Sequence, residues 1–204
     1  VIAIPDTNFE QALIDLGIDT NGLNGNILQT DAEAINTTLS LTGKGINSLQ
    51  GIEGFINITH LRCNNNNLGA LDLSSNTALT ILECSNNNFS TLNISNNAAL
   101  LELSCSVNDL TSLDLTNNAL LTSLVFSDNE LTTLDLSSNP NLKALYGQRN
   151  QLVGLDVSNN PLLEDLHCID NLLTSLDVSG NTVLDNLDCR DNQLQILNLK
   201  NGNN

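Results

Sequence analysis

The sequence predicts a β-rich repeat solenoid, helix-poor on its convex side and closed at one end by an N-terminal α-helical cap. Three observations carry this prediction. A phrase that starts at Ile58 as I-T-H-L-R-C-N-N-N-N-L-G-A-L-D-L-S-S-N returns at Leu79, Leu100, Leu121, Leu142, Leu163 and Leu184, always 21 residues further on. Within each copy, apolar and polar residues alternate twice, around Leu61/Cys63 and again in L-D-L-S, which is the two-residue period of an extended strand. Residues 1–35 break the pattern and read as helix. Each copy follows L-x-x-L-x-C-x-x-N-x-L, so the fold class is a leucine-rich-repeat solenoid.

The elements follow in chain order. In I-P-D-T-N-F-E-Q-A-L-I-D-L-G, Pro5, Asp6 and Thr7 open an amphipathic run with Phe9, Leu13 and Leu16 on one face before Gly17. This helix caps the array, whose first coil otherwise shows its leucine core to water. A degenerate 22-residue unit begins at Asn36, and seven 21-residue units follow it to the end of the sequence. The organisation expected is a cap over 1–35 and an array over 36–204, in one continuous domain. Twenty-one residues per coil leave little room for a convex helix.

Composition limits the partners. The 204 residues carry 6 basic and 23 acidic side chains, a net charge of −17, which repels nucleic acid and anionic membrane surfaces. Aromatics are 2% of the chain, with no Trp and one Tyr, so leucine packs the core and no base-stacking platform is expected. No apolar run approaches the roughly 20 residues that cross a bilayer. The chain has no Met, so residue 1 is read as a processing or cloning boundary, with a signal peptide removed.

Three ladders come from the repeat. Asn66, Asn87, Asn108, Asn129, Asn150, Asn171 and Asn192 mark one corner, and Asn76, Asn97, Asn118, Asn139, Asn160 and Asn181 another. They are read as turn hardware, tolerating tight dihedrals and satisfying corner backbone groups. Cys63, Cys84, Cys105, Cys168 and Cys189 share one inward place, with parallel side chains roughly 4.8 Å apart. A disulfide wants converging Cβ atoms near 3.8 Å, so the five are expected to be reduced, buried packing residues. Phe126 and Gly147 fill the two missing rungs, read as volume compensation; the rival reading is a small pocket behind Gly147.

The period with Cys at its sixth place resembles the cysteine-ladder internalins, bacterial surface proteins built from leucine-rich repeats. The cap phrase, together with K-G-I-N-S-L-Q-G-I-E-G-F, resembles the front of secreted Gram-negative leucine-rich-repeat proteins that carry a C-terminal sorting domain. The resemblance covers the whole chain and implies secretion or surface display. The last unit, L-N-L-K-N-G-N-N, lacks a polar cap, so the natural protein is expected to continue beyond residue 204.

Candidate chemistry is sparse. The loop 19–31, D-T-N-G-L-N-G-N-I-L-Q-T-D, resembles an EF-hand calcium loop with one residue inserted, Leu23 in a ligand place and Asp31 rather than Glu at the close; a plain turn between cap helices is favoured. Asp72, Asp114, Asp135, Asp156 and Asp177 form an outer ladder of mutually repelling charges, which calcium would bridge or water solvate. No metal or other cofactor is expected. His60 and His167 lie five coils apart, so no shared catalytic site and no enzyme activity are expected. On the outward places of the concave strand face, Val125, Tyr146, Gln148, Arg149, His167 and Ile169 stand out against small polar and acidic neighbours, the composition of an interface hot spot. The function expected is a monomeric, secreted or cell-surface module that binds a protein or glycan there. The alternatives are a structural stalk, or a binder of ice or crystalline polysaccharide through Ser90/Thr91, Thr111/Ser112, Thr132/Thr133 and Thr174/Ser175, a row interrupted by Val153/Gly154 and Gln195/Ile196.

Overall fold

The computed structural model describes residues 1–200 and Gly202. Each coil contributes one short strand: β3 (Thr38–Ser40), β4 (His60–Arg62), β5 (Ile81–Glu83), β6 (Glu102–Ser104), β7 (Ser123–Val125), β8 (Ala144–Tyr146) and β9 (Asp165–His167). A strand of the second side, β10 (Ser175–Asp177), comes next, then β11 (Asn186–Asp188) and β12 (Ile196–Asn198). Strands β3 to β9 and β11 form one eight-stranded parallel sheet. Its register matches the repeat: Leu39 pairs Leu61, Leu61 pairs Leu82, and the central leucine stays central up to Leu166 and Leu187. That leucine points inward and the residues beside it point out, because successive side chains of a strand alternate.

The second extended side is less regular than its sequence suggests. Among the described residues only β10 and β12 pair as strands there, with one isolated bridge between Asp72 and Asn93. Asp72, Asp114, Asp135, Asp156 and Asp177 each accept the backbone N–H two residues on, at 2.8–3.0 Å, a local turn bond that recurs in every one of these coils. These bonds also revise the reading of the ladder as a row of repelling charges. All five carboxyls are held below the usual range, first by the following Ser or Thr side chain and then by its backbone N–H; the neighbouring Asp, where it acts at all, is a lesser opposing influence.

The two Asn ladders do different work. Asn129 Nδ2 donates to the carbonyls of Cys105, Phe126 and Ser127, and its Oδ1 accepts from Leu110 N at 3.0 Å, joining adjacent coils inside the core. Asn139, on the other ladder, donates to the carbonyls of Leu115 and Asn118. The tight dihedral belongs to neither. Left-handed backbone falls one residue earlier, at Asn65, Asn86, Val107, Asp128, Arg149, Asp170 and Asp191, with φ between 54° and 58°.

Cys63, Cys84, Cys105 and Cys168 are buried free thiols; Cys189 is free but half-buried, a correction to the expectation of five buried cysteines. It lies in the last coil of the main sheet, where no further strand covers that rung. Burial pushes the thiols of Cys63, Cys105 and Cys168 up to about 12, and that of Cys84 well above its ordinary value. The interrupted rungs are filled as the volume argument requires. A Cβ on Gly147 would lie 2.2 Å from Phe126 Cζ, so the ring occupies the room of the missing side chain and leaves no pocket behind the glycine.

At the N-terminal end, α1 (Thr7–Asp15) buries Phe9, Ala12 and Leu13, whereas Leu16, expected on the same face, is the C-cap residue and is exposed. Asp6 joins cap and array: Oδ1 accepts from Asn8 N and Phe9 N to start the helix, while Oδ2 accepts from Asn47 N and Ser48 N. A two-stranded antiparallel ladder, β1 (Ile2–Ala3) with β2 (Asn26–Ile27), and a second helix, α2 (Gln29–Ala34), complete this end.

Candidate functional site

The outward residues of the main sheet form columns, one residue per coil. The column after the central leucine reads Ser40, Arg62, Glu83, Ser104, Val125, Tyr146, His167 and Asp188. Val125, Tyr146 and His167 are therefore cross-strand neighbours on β7, β8 and β9, all half-buried. The Tyr146 and His167 rings meet edge to face, with centroids 4.9 Å apart and planes at 71°. Gln148 and Ile169 follow one place beyond the next inward residue; Gln148 Nε2 lies 3.5 Å from His167 Nδ1, and Gln148 Oε1 accepts from Ser127 Oγ.

Arg149 is brought beside this group but is turned to the corner. It occupies one of the left-handed positions, and its guanidinium makes a bidentate pair with Asp128, a residue the sequence did not single out. Hydrogen bonding to Asp128 and its charge hold the guanidinium in its charged form. On the far side, Asp188 accepts from Arg190 Nε and Nη2 at 2.8 and 2.6 Å. This pairing holds the Asp188 carboxyl low against desolvation, and the His167 ring adds to the effect. Asp165, outward on the same strand as His167, accepts from Asn186. Tyr146 and His167 thus have Val125 and the Arg190-paired Asp188 as their column neighbours, with the Arg149–Asp128 pair at the corner of the adjoining coils. Asp128, Asp188 and Arg190 were not legible as parts of the group, because common residue types on an acidic chain give no signal until the register makes them adjacent.

His60 lies on β4, far along the sheet from His167 on β9. Its Nδ1 is 2.8 Å from Thr59 Oγ1, a local contact between chain neighbours, and that hydroxyl also reaches the Thr37 carbonyl at 3.4 Å. Among the described residues no three His, Cys, Asp or Glu side chains converge as metal ligands. No helix among them is long and apolar enough to cross a membrane. A hollow of about 430 Å³ lies elsewhere, on the second extended side near the cap, lined by Leu49, Ile52, Glu53, Leu71 and Asp72 among others.

No protein-family model matches the chain, and no curated protein does. Among solved structures the chain is similar to the functional domain of InlJ from Listeria monocytogenes, which includes a cysteine ladder: 29% identity over 94% of this chain and 51% of that one, with a TM-score of 0.57. The chain thus spans about half the length of that domain. Internalin C2 of the same organism shares 24% identity over 100% of this chain and 94% of that one, with a TM-score of 0.80. TLR13, in its complex with ssRNA13, shares 22% identity over 85% of this chain and 30% of that one, with a TM-score of 0.65. With its 21-residue coils, parallel sheet and row of inward cysteines, the chain is a leucine-rich-repeat solenoid whose structural neighbours are internalins and other leucine-rich-repeat proteins.

Proposed function

We propose that the chain is a secreted or cell-surface binding module that engages a protein or glycan through the outward strand face around Tyr146 and His167. The observation that carries this reading is the edge-to-face contact of the chain's single Tyr with His167, flanked by Val125, Gln148 and Ile169 on a preformed sheet. Rigid aromatic and aliphatic groups held half-exposed lose little conformational freedom on binding, which makes them effective anchors. The Arg149–Asp128 pair at the rim supports orientation and partner choice. The internalin resemblance supports adhesion and display outside the cell. Exclusion of nucleic acid rests on the charge of −17 alone, since TLR13 shares the fold and is in complex with an RNA.

Glycan-array and pull-down screening with the chain, followed by Tyr146→Ala and His167→Ala, tests the reading. The double variant is expected to weaken binding to the partner found by more than about 2 kcal/mol, the size typical of hot-spot residues, with an unchanged Tm. Normal binding by this variant, combined with loss on substituting the exposed Thr111 and Thr132, would instead assign the interaction to the repeated Thr face.

A further inference from the structure

We propose that the loop 19–31 in the N-terminal cap is a calcium site, with Asp19, Asn24 and Asp31 supplying side-chain oxygens. The site is separate from the strand face discussed above. Asp19 is only 6% exposed in a stretch, residues 20–26, that is otherwise open or half-open to water. Its Oδ1 accepts from Asn21 N at 3.0 Å, so the carboxylate is turned back over the loop. Its Oδ2 is enclosed and has no hydrogen-bond partner. A buried carboxylate oxygen without a donor is costly, and native proteins resolve that cost with a donor, a counter-charge or a metal ion. No cationic side chain pairs with this group among the described residues.

The other oxygens lie around the same loop. Asp31 Oδ2 accepts from Thr20 N at 3.1 Å and Thr20 Oγ1 at 2.6 Å, which ties Asp31 to the residue next to Asp19. Asp31 Oδ1 has only a 3.5 Å contact from Thr30 Oγ1. Asn24 Oδ1 accepts from Asn26 N at 3.1 Å. Leu23 is 58% exposed and carries no side-chain oxygen, so it is counted as the inserted residue. With Leu23 set aside, Asn24 takes the fifth place of a twelve-residue calcium loop and Gly25, at φ 81°, the sixth, where the turn demands glycine. Ile27, buried in β2, then takes the eighth and Asp31, in α2, the twelfth. Glu10 supports the loop from beneath as a positioning residue, its buried Oε1 accepting from Asn24 N, Gly25 N and Asn26 N at 2.7, 2.6 and 3.1 Å.

The donor set is all oxygen, and irregular, which suits Ca²⁺ better than the octahedral geometry that Mg²⁺ demands. With two carboxylates and no bidentate Glu, the affinity belongs to the weak, extracellular class, Kd about 10⁻⁴–10⁻³ M. The test is calorimetric titration of the EDTA-treated chain with CaCl₂, paired with melting curves in EDTA, CaCl₂ and MgCl₂. One saturable Ca²⁺ site per chain is expected, with a Tm rise of about 3 °C or more at saturation and a smaller response to Mg²⁺. Asp19→Asn and Asp31→Asn are each expected to weaken the site by about tenfold or more. Asp19→Asn should also keep or raise the Tm in EDTA, because it removes the unpaired charge. Should Asp19→Asn fail to fold, Asp31→Asn and the unsubstituted chain's Tm decide by the same criteria. The proposal is overturned by no saturable heat up to about 10 mM Ca²⁺, a concentration well above the weak-site range. Full affinity in either loop variant, or loss of binding in Asp114→Asn, which would put the ion on the outer Asp ladder, overturns it as well.

Discussion

Val107 holds a β-branched side chain at φ 56°, in a column where the other coils place Asn, Asp or Arg. Left-handed backbone costs an L-residue roughly 1–2 kcal/mol, most for branched side chains and least for Asn and Gly. Because Val107 is 48% exposed, little packing is lost by replacing it. Val107→Asn is therefore expected to stabilise the chain by about 0.5–1 kcal/mol, read from the denaturant midpoint at unchanged slope. An unchanged or lowered midpoint would show that Val107 contributes packing not apparent from its exposure. Reactivity of the thiols is also a residue-scale matter. Burial holds four thiols protonated in the folded chain, while Cys189 is half-exposed with a thiol raised more modestly. Titration with a thiol reagent should modify Cys189 first and the other four only in denaturant. Equal reactivity of all five in the native chain would mean that the solenoid opens readily at its core.

At the scale of the coil, Phe126 and Gly147 act as one unit. The ring on β7's coil fills the room that the next coil leaves empty, so each substitution alone is costly for opposite reasons. Gly147→Ala drives a methyl into the ring and is expected to cost about 1–3 kcal/mol. Phe126→Cys opens a cavity and is expected to cost about 3 kcal/mol or more. Phe126→Cys with Gly147→Cys restores the rung found in the other coils and should cost less than the sum of the single changes, a coupling that a double-mutant cycle measures. Strict additivity would mean that the two rungs relax independently.

For the whole molecule, the acidic composition sets up two opposing responses to acid. Lowering pH relieves a net charge of −17, which favours the compact state. It also protonates carboxylates that accept hydrogen bonds in the fold. The outer Asp carboxyls are held below their ordinary value, as is Asp6, where backbone N–H groups of Asn47, Phe9, Ser48 and Asn8 together outweigh desolvation. A carboxyl lowered on folding contributes stability above its unfolded value, near 4, and that contribution disappears as pH falls through the folded value. Tm is therefore expected to fall below about pH 4. Asp6→Asn, which weakens the link between cap and first coil, should flatten part of that fall. A Tm that rises on acidification would show that charge relief dominates.

Much of this architecture is local in sequence. The inward leucine, the cysteine rung and the corner Asn recur at fixed places within 21 residues, so their roles follow from period and alternation alone. The Phe126/Gly147 exchange was legible for the same reason, since both hold one place in adjacent copies. Tertiary structure decided what depends on orientation across coils and on the ends of the array. It set the Tyr146–His167 ring contact, turned Arg149 to Asp128, and made Asp6 the clasp between cap and first coil. It exposed Leu16 and half-exposed Cys189, because burial at an end depends on what stacks beyond it. It also showed what a count along the cap loop leaves open, that Leu23 is exposed to water while Asp19 is buried. A repeat determines its own interior by period, whereas contacts between unlike neighbours exist only once the coils are stacked.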